Sequence, residues 1–251
     1  MRGQVFDYVP GMSRAALAIA LVAMVGTAEA GRKRKYTRHV TSTVDATGTA
    51  AYRYGQMTAA ECEAELATRE IPFIAEPSLG VLSGVRLTGP LHGVTFRTTE
   101  PADRRATSRW EIGDCRLVLA LDDMSAVLEA HGIVEVVHYS MYRPPEKSWP
   151  ADKPATRHAG ALALDAAKFI DREGVVYDVD DDFSGRIGAR TCGPKAKPRN
   201  PTAKALMLRA ILCETVAKRL FNVVLTPNHN RPHKNHFHLE VTAGVSWFIV
   251  D

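Results

Sequence analysis

The segment HFHLEV, residues 236–241, restricts the fold more than any other stretch of this chain. Polar and apolar side chains alternate through it, with one set being His236, His238 and Glu240 and the other Phe237, Leu239 and Val241. On a β-strand, side chains two positions apart lie on the same face, about 6.6 Å from each other. A helix would scatter these side chains, and Pro227 and Pro232 oppose a helix just before them. We therefore predict a strand with an apolar core face and a face of two imidazoles and a carboxylate.

The remaining segments predict an α+β fold. Thr58 and Glu61 form a capping box at the start of a helix, and further helices are predicted over about 115–130 and 202–220. Other runs read as strands, namely 80–89, 92–99, 133–142, 175–180, 222–227 and 245–250. Helices and strands do not alternate regularly, so we expect a mainly antiparallel central sheet with flanking helices. We assign residues 57–251 to one domain.

The first 30 residues have the pattern of a signal peptide. Arg14 precedes an apolar run of eleven residues, 15–25, and Ala28-Glu29-Ala30 fits a cleavage site. Eleven apolar residues are too few to span a bilayer, and no later run is longer. Met12 is an alternative start. We expect an exported protein, periplasmic or extracellular, with no transmembrane segment.

Residues 31–56 read as a basic, flexible linker without apolar periodicity. Its first part carries five basic residues, which are Arg32, Lys33, Arg34, Lys35 and Arg38. The formal net charge of the chain is only +4, so the rest of the chain is close to neutral. The tail could lie near an anionic envelope surface, or it could be a solvated terminus. The body of the chain does not indicate a nucleic-acid partner.

Four cysteines fall after the predicted signal, at 62, 115, 192 and 213. An even number in an exported chain predicts two disulfides. No C-x-x-C motif is present, which disfavours a thiolate zinc site or a redox motif. Three pairings are open, and proximity in sequence favours Cys62 with Cys115 and Cys192 with Cys213.

The histidine-rich strand needs another element to complete a metal site. A hydrolytic zinc site uses three nitrogen or oxygen donors and keeps a position open for water. The segment 157–165 offers His158 and Asp165, with Ala161, Ala163 and Asp165 at alternate positions of a predicted strand. We predict that His158, Asp165 and His238 bind Zn²⁺. The alternative is a polar surface without metal. Fe(II) suits the same donors, but an exported protein favours redox-inert zinc.

These residues resemble those of a group of zinc peptidases that includes D-alanyl-D-alanine metallopeptidases, penicillin-insensitive murein endopeptidases and lysostaphin-type enzymes. The group's first element is matched by Thr156, His158, Ala163 and Asp165, and its second by His236-Phe237-His238. The chain resembles bacterial extensin-like C-terminal domain proteins more closely, through HYSMYRP at 138–144 and VVLTPNHNRPHKNHFHLE at 223–240. This resemblance covers most of 60–241.

The resemblance implies a fold of the D-Ala-D-Ala peptidase and hedgehog-like type. It also implies a zinc-dependent peptidase or amidase that acts on peptidoglycan stem or cross-link peptides. Two positions depart from the group's pattern. Ala161 stands where the group has glycine, and Asn235 stands where relatives carry an acid that can act as the general base. The histidine spacing at 233, 236 and 238 matches that of the murein endopeptidases, which allows His236 to be the base instead.

Three further residues complete the predicted site. An imidazole titrates near neutral pH, so His236 could accept a proton from water and pass it to the leaving amine. Arg143 could bind a substrate carboxylate or the developing oxyanion, and His233 could lie beside the substrate. Two other functions stay open. One is a non-catalytic envelope module that binds wall polymers, favoured by Asn235 and Ala161, and the other is a structural domain without metal.

Overall fold

The computed structural model describes residues 40–41 and 45–251, which belong to one compact unit. The predicted signal peptide and the basic tail lie outside these residues. No helix in the described part of the chain is long and apolar enough to cross a membrane. The described α-helices are α1 Ala50–Gln56, α2 Ala59–Thr68, α3 Ala102–Arg105, α4 Cys115–Ala130, α5 Val179–Asp182 and α6 Ala203–Ala217. Short 3₁₀ turns cover Arg109–Glu111, Arg157–Gly160 and Arg231–His233.

The strands form two sheets. In chain order they are β1 Val40–Thr41, β2 Phe73–Ala75, β3 Gly84–Leu87, β4 Thr95–Thr98, β5 Ile112–Asp114, β6 Ile133–His138, β7 Ala163–Asp171, β8 Val176–Asp178, β9 Val223–Leu225, β10 Phe237–Glu240 and β11 Phe248–Val250. The larger sheet has eight strands in the order β1-β11-β9-β10-β7-β6-β4, with β8 also paired to β7, and the smaller has the order β2-β3-β5. Only the β4–β6 and β9–β11 pairs among these are parallel. The predicted mixed fold with a mainly antiparallel sheet is confirmed.

Helix α4 forms the centre of the hydrophobic core. It contacts α1, α2, α6 and β6. The stripe predicted for this helix is fully buried, and its members are Leu117, Leu121, Met124 and Leu128. Burying one such side chain contributes roughly 1.5–3 kcal/mol to folding. The helix therefore packs on one face of the large sheet. The opposite face of that sheet carries two of the predicted ligands, Asp165 and His238.

The folded domain begins earlier than the sequence predicts. Residues 50–56, expected at the end of a linker, form α1, and Ala51 and Tyr54 on this helix are fully buried. Tyr54 packs in the main core, and its hydroxyl donates to Asp123 on α4. A seven-residue helix is too short to show clear apolar periodicity, so only its tertiary contacts identify it. The capping box of Thr58 and Glu61 is confirmed at the start of α2.

Two other predicted strands have different bounds in the structure. The strand predicted over 133–142 stops at His138, where its pairing with β7 shifts register between Val137 and His138. Ala161, expected on the same strand face as Asp165, instead precedes β7 and has a left-handed backbone with φ of 53°. Of that predicted set, Ala163 and Asp165 do lie on β7.

Both favoured disulfides are present. Cys62 on α2 is bonded to Cys115, the first residue of α4, and Cys192 is bonded to Cys213 on α6. The first bridge holds two core helices together at one end. The second holds the loop that contains Thr191, whose carbonyl also accepts a hydrogen bond from Arg209.

Breaking either disulfide is expected to lower the free energy of unfolding. Loop entropy gives about 4 kcal/mol for Cys62–Cys115, whose residues are 53 apart, and about 3 kcal/mol for Cys192–Cys213, 21 apart. Urea unfolding of the two paired Cys→Ser variants should show losses in that order. Free-thiol titration of the denatured, unreduced wild type should read near zero, and four reactive thiols would contradict the pairing.

Candidate metal centre

Strand pairing places Asp165 beside His238. In the β7–β10 pair these two residues are directly opposite each other. Opposed side chains on neighbouring antiparallel strands lie on the same face, with Cβ atoms about 4.5–5.5 Å apart. On the other face, Phe237 and Leu239 are fully buried in the main core. The predicted division into an apolar face and a face with His238 and Glu240 is therefore confirmed for Phe237–Glu240, whereas His236, predicted on the same strand, lies just before it.

His158 reaches the same place from the 3₁₀ turn before β7. Its carbonyl accepts a hydrogen bond from the backbone of Arg143 at 2.9 Å, which fixes the turn against the segment after β6. The turn is tight, because a Cβ on Gly160 would lie 2.3 Å from the carbonyl oxygen of Ala155. Ala161 then takes the left-handed conformation that favours glycine, and this is the position where the resembling peptidases have glycine. This sharp turn of the backbone thus places the imidazole of His158 beside β7.

The three predicted metal ligands converge. Oδ1 of Asp165 lies 3.1 Å from Nε2 of His158 and 3.0 Å from Nδ1 of His238. One potential ligand atom from each residue lies within 4.8 Å of the others. His236 approaches the same oxygen with its Nε2, at 3.3 Å. His233 is farther away, with its ring centroid 5.2 Å from that of His236 and 5.7 Å from that of His238.

The hydrogen bonds of the imidazoles decide which nitrogen faces Asp165. Nδ1 of His158 lies 2.9 Å from the carbonyl oxygen of Met141, and Nε2 of His238 lies 3.2 Å from Oε2 of Glu240. Both partners only accept, so each neutral ring donates there and turns its unprotonated nitrogen toward Asp165. Nitrogen lone pairs and a carboxylate oxygen repel one another unless a proton or a metal cation lies between them. The donor set and its second contacts therefore fit a metal ion.

The pKa shifts follow from burial and these contacts. Burial by itself raises the pKa of Asp165, but contacts with His158, His236 and His238 lower it by a larger amount. The net shift is downward, so the carboxylate stays ionised. Burial lowers the pKa of His238, but a protonated ring could donate to both Asp165 and Glu240, and these bonds and charges raise the pKa above its usual value. The two buried carboxylates thus make this part of the cleft favourable for positive charge.

The pKa of His233 shifts in the opposite direction to that of His238. Burial, together with the charges of the neighbouring histidines, lowers its pKa to about 4. At neutral pH the ring is therefore uncharged. Its Nδ1 lies 2.7 Å from Oδ1 of Asn230, which leaves Nε2 as the unprotonated nitrogen.

Arg143 joins the site through the other oxygen of Asp165. One terminal guanidinium nitrogen contacts Oδ2 of Asp165, and Nε donates to the hydroxyl of Ser140 at 2.9 Å. The side chain is still 51% exposed, so part of the guanidinium remains open to the cleft. Arg143 is therefore held by Asp165 and Ser140, and its exposed part can bind an anionic group.

Tyr139 supports the site, although sequence reasoning gave it no role. The amide nitrogen of Asn235 donates to the Tyr139 hydroxyl at 3.2 Å, and Oδ1 of Asn235 lies 2.9 Å from Nδ1 of His236. The amide oxygen accepts, so Nδ1 of His236 carries the proton and Nε2 faces Asp165 as an acceptor. The position of Tyr139 inside HYSMYRP was the one sequence signal for it. Glu240 was recognised on the strand face, but its contact with His238 was not.

The site lies in a cleft of about 740 Å³. This volume is in the usual range for small-molecule sites. The sequence-predicted residues His158, Asp165, His233, His236, His238 and Arg143 all line it. The structure therefore brings all six into one cleft.

Comparison with known proteins gives one match. The family model described as extensin-like protein C-terminus matches residues 61–248, which is well over half of the chain. Neither a curated protein nor a solved structure matches the chain. The matched residues include the whole of the convergent histidine–aspartate site.

Proposed function

The chain belongs to the extensin-like protein C-terminus family, and from this premise we propose that it is a zinc-dependent peptidase or amidase. The substrates would be peptidoglycan stem or cross-link peptides, and the protein would be exported to the periplasm or the cell exterior. We propose that its fold is of the D-Ala-D-Ala peptidase and hedgehog-like type. The observation that carries the proposal is the convergence of His158 Nε2, Asp165 Oδ1 and His238 Nδ1.

In this proposal, three residues bind zinc, and two further groups orient the rings of the ligating histidines. When bound, zinc would supply Lewis-acid chemistry, polarising the substrate carbonyl and lowering the pKa of water to about 7. The carbonyl of Met141 holds the ring of His158, and Glu240 holds that of His238. Such second contacts orient ligating imidazoles and make them more basic.

His236 is the proton carrier of the proposed reaction. Asn235 holds the proton on Nδ1, so Nε2 is free to accept a proton from the attacking water. The same nitrogen can then donate that proton to the leaving amine. Arg143 would bind a substrate carboxylate or the negative charge that develops on the carbonyl oxygen. Neutral His233 would line the substrate path.

Digestion of purified muropeptides, followed by mass spectrometry, tests the proposed function. We expect the zinc-loaded mature protein to release fragments, and a chelator to stop the release until zinc is returned. A matched sample of the Glu214→Gln variant, altered outside the cleft, should behave like wild type. Intact muropeptides after incubation with zinc-loaded protein would contradict the peptidase.

One observation favours a second candidate, a non-catalytic module that binds wall polymers. Asn235 stands where the resembling peptidases carry an acid, and its amide is engaged by Tyr139 and His236. Co-sedimentation with insoluble peptidoglycan, without release of soluble fragments, would support this candidate. The basic tail of residues 32–38 could add contact with an anionic envelope surface.

Glu240 gives a prediction for zinc affinity. Glu240→Gln removes the charge that supports the ring of His238, so we expect the zinc dissociation constant to rise about 10- to 100-fold. Competition with a chromogenic chelator measures the change. Glu214→Gln is the matched control, because Glu214 contacts the imidazole of His131 at 3.0 Å outside the cleft. Equal zinc affinities for Glu240→Gln and wild type would show that Glu240 does not support the ligand.

A further inference from the structure

The floor of the cleft continues from the ligands onto two strands with aliphatic side chains. Leu225 on β9 is directly opposite His238 on β10, and Val223 is opposite Glu240. Ile249 on β11 is paired in turn with Val223. Paired residues on neighbouring strands lie on the same face of a sheet. The aliphatic side chains therefore lie in one surface with the proposed ligand and its carboxylate partner.

These side chains lie outside the main core, although Val223 is itself buried in the floor of the cleft. Val224, between Val223 and Leu225, is almost fully buried in the main core on the opposite face. Leu225 and Ile249 are only partly buried, although both line the cleft. Trp247, just before β11, also lines it and is 36% exposed. We call Val223, Leu225, Trp247 and Ile249 the apolar shelf.

The two halves of the cleft differ in charge. Arg143, Arg157 and the imidazoles line other parts of the cleft. The apolar shelf has no ionisable side chain. An acidic group placed over the shelf would lose hydration without gaining a cationic partner from the shelf. An apolar group placed there would remove aliphatic and indole surface from water, which is favourable.

Strand spacing sets how far the shelf is from the reacting bond. Neighbouring strands lie about 4.7–4.9 Å apart, so β9 is about 5 Å and β11 about 10 Å from β10. An extended peptide advances about 3.3–3.6 Å per residue. The shelf is therefore within reach of the residue next to the cleaved bond and of the one beyond it.

We infer that the apolar shelf is the subsite for an apolar side chain of the substrate, next to the bond that the site cleaves. This rests on the proposed function, and it narrows the substrate to peptides with an alanine or larger aliphatic residue beside that bond. On this side of the bond, the site selects against acidic residues. The apolar shelf thus determines specificity and takes no part in the chemical step.

Amino-acid hydroxamates test the subsite by binding alone, because the hydroxamate is a metal chelator that anchors each side chain beside the ligands. The probes are the N-acetyl hydroxamates of glycine, alanine, leucine and glutamate, titrated calorimetrically into the zinc-loaded protein. We expect the leucine probe to bind roughly 10- to 100-fold tighter than the glycine probe, with alanine between them. The glutamate probe should bind no tighter than the glycine probe.

Two variants test whether the apolar shelf causes the preference for the leucine probe. In Leu225→Gln and in Trp247→Ala, the leucine probe should lose most of its advantage over the glycine probe. Leu206→Gln is the matched control, because Leu206 is 50% exposed on α6 and does not line the cleft. Far-UV circular dichroism checks that each variant is folded.

The outcomes separate the inference from the proposed function. If the glycine probe binds but all four probes bind wild type equally, the subsite is rejected and the metal site is kept. The same holds if the leucine preference survives in both shelf variants. If no probe binds the zinc-loaded protein, the proposed function is rejected, and the subsite with it.

Discussion

His158→Ala is expected to reduce bound zinc from about one ion per chain to near zero. The substitution leaves only Asp165 and His238 as ligands, and two donors hold zinc far more weakly than three. Inductively coupled plasma mass spectrometry of the purified, dialysed protein measures the loss. His131→Ala is the matched control, because His131 contacts Glu214 outside the cleft and should keep its zinc.

Asp165→Ala is expected to have the same effect on zinc for an additional reason. The carboxylate is the common neighbour of His158, His236 and His238, so its removal also takes away the negative charge around which their rings converge. Arg143 loses its anionic partner as well, so its positive charge in the site is no longer compensated. Full zinc occupancy in both His158→Ala and Asp165→Ala would reject the assignment of ligands.

His236→Ala should keep zinc bound and lower turnover of muropeptides by roughly 10²–10⁴-fold, the usual contribution of a positioned acid–base group. His236 lies just before β10, with its Nε2 3.3 Å from Oδ1 of Asp165. It is therefore near the ligands without belonging to the group of three that converges most closely. Zinc content and turnover are measured on the same preparation.

The alternative role of His236 gives a different result. As a fourth ligand in a closed structural site, it would take the position that water needs, and His236→Ala would then lose zinc. Loss of zinc together with an inactive wild type would reject the peptidase mechanism. His233→Ala serves for comparison, because its neutral ring is expected to affect turnover less than His236 does.

Local patterns in the sequence determined much of the fold. The alternation in 236–241 predicted the strand observed as Phe237–Glu240 and its two faces, because the period of a strand is set by neighbouring residues alone. Helix α4 was placed at its observed bounds, since its apolar stripe and the glycine after it are also local signals. The three predicted ligands, which the structure brings together, came from two short segments, and the cysteine pairs came from proximity in sequence.

Tertiary structure alone decided how these pieces meet. Asp165 and His238 are 73 residues apart, and only the register of β7 against β10 places them directly opposite each other. The contacts that orient the rings come from Met141, Glu240 and Asn235, and sequence patterns gave none of them these roles. Such contacts depend on how the intervening chain folds and pairs. A sequence shows which donors are available, whereas the paired strands determine which nitrogen of each ring faces the carboxylate.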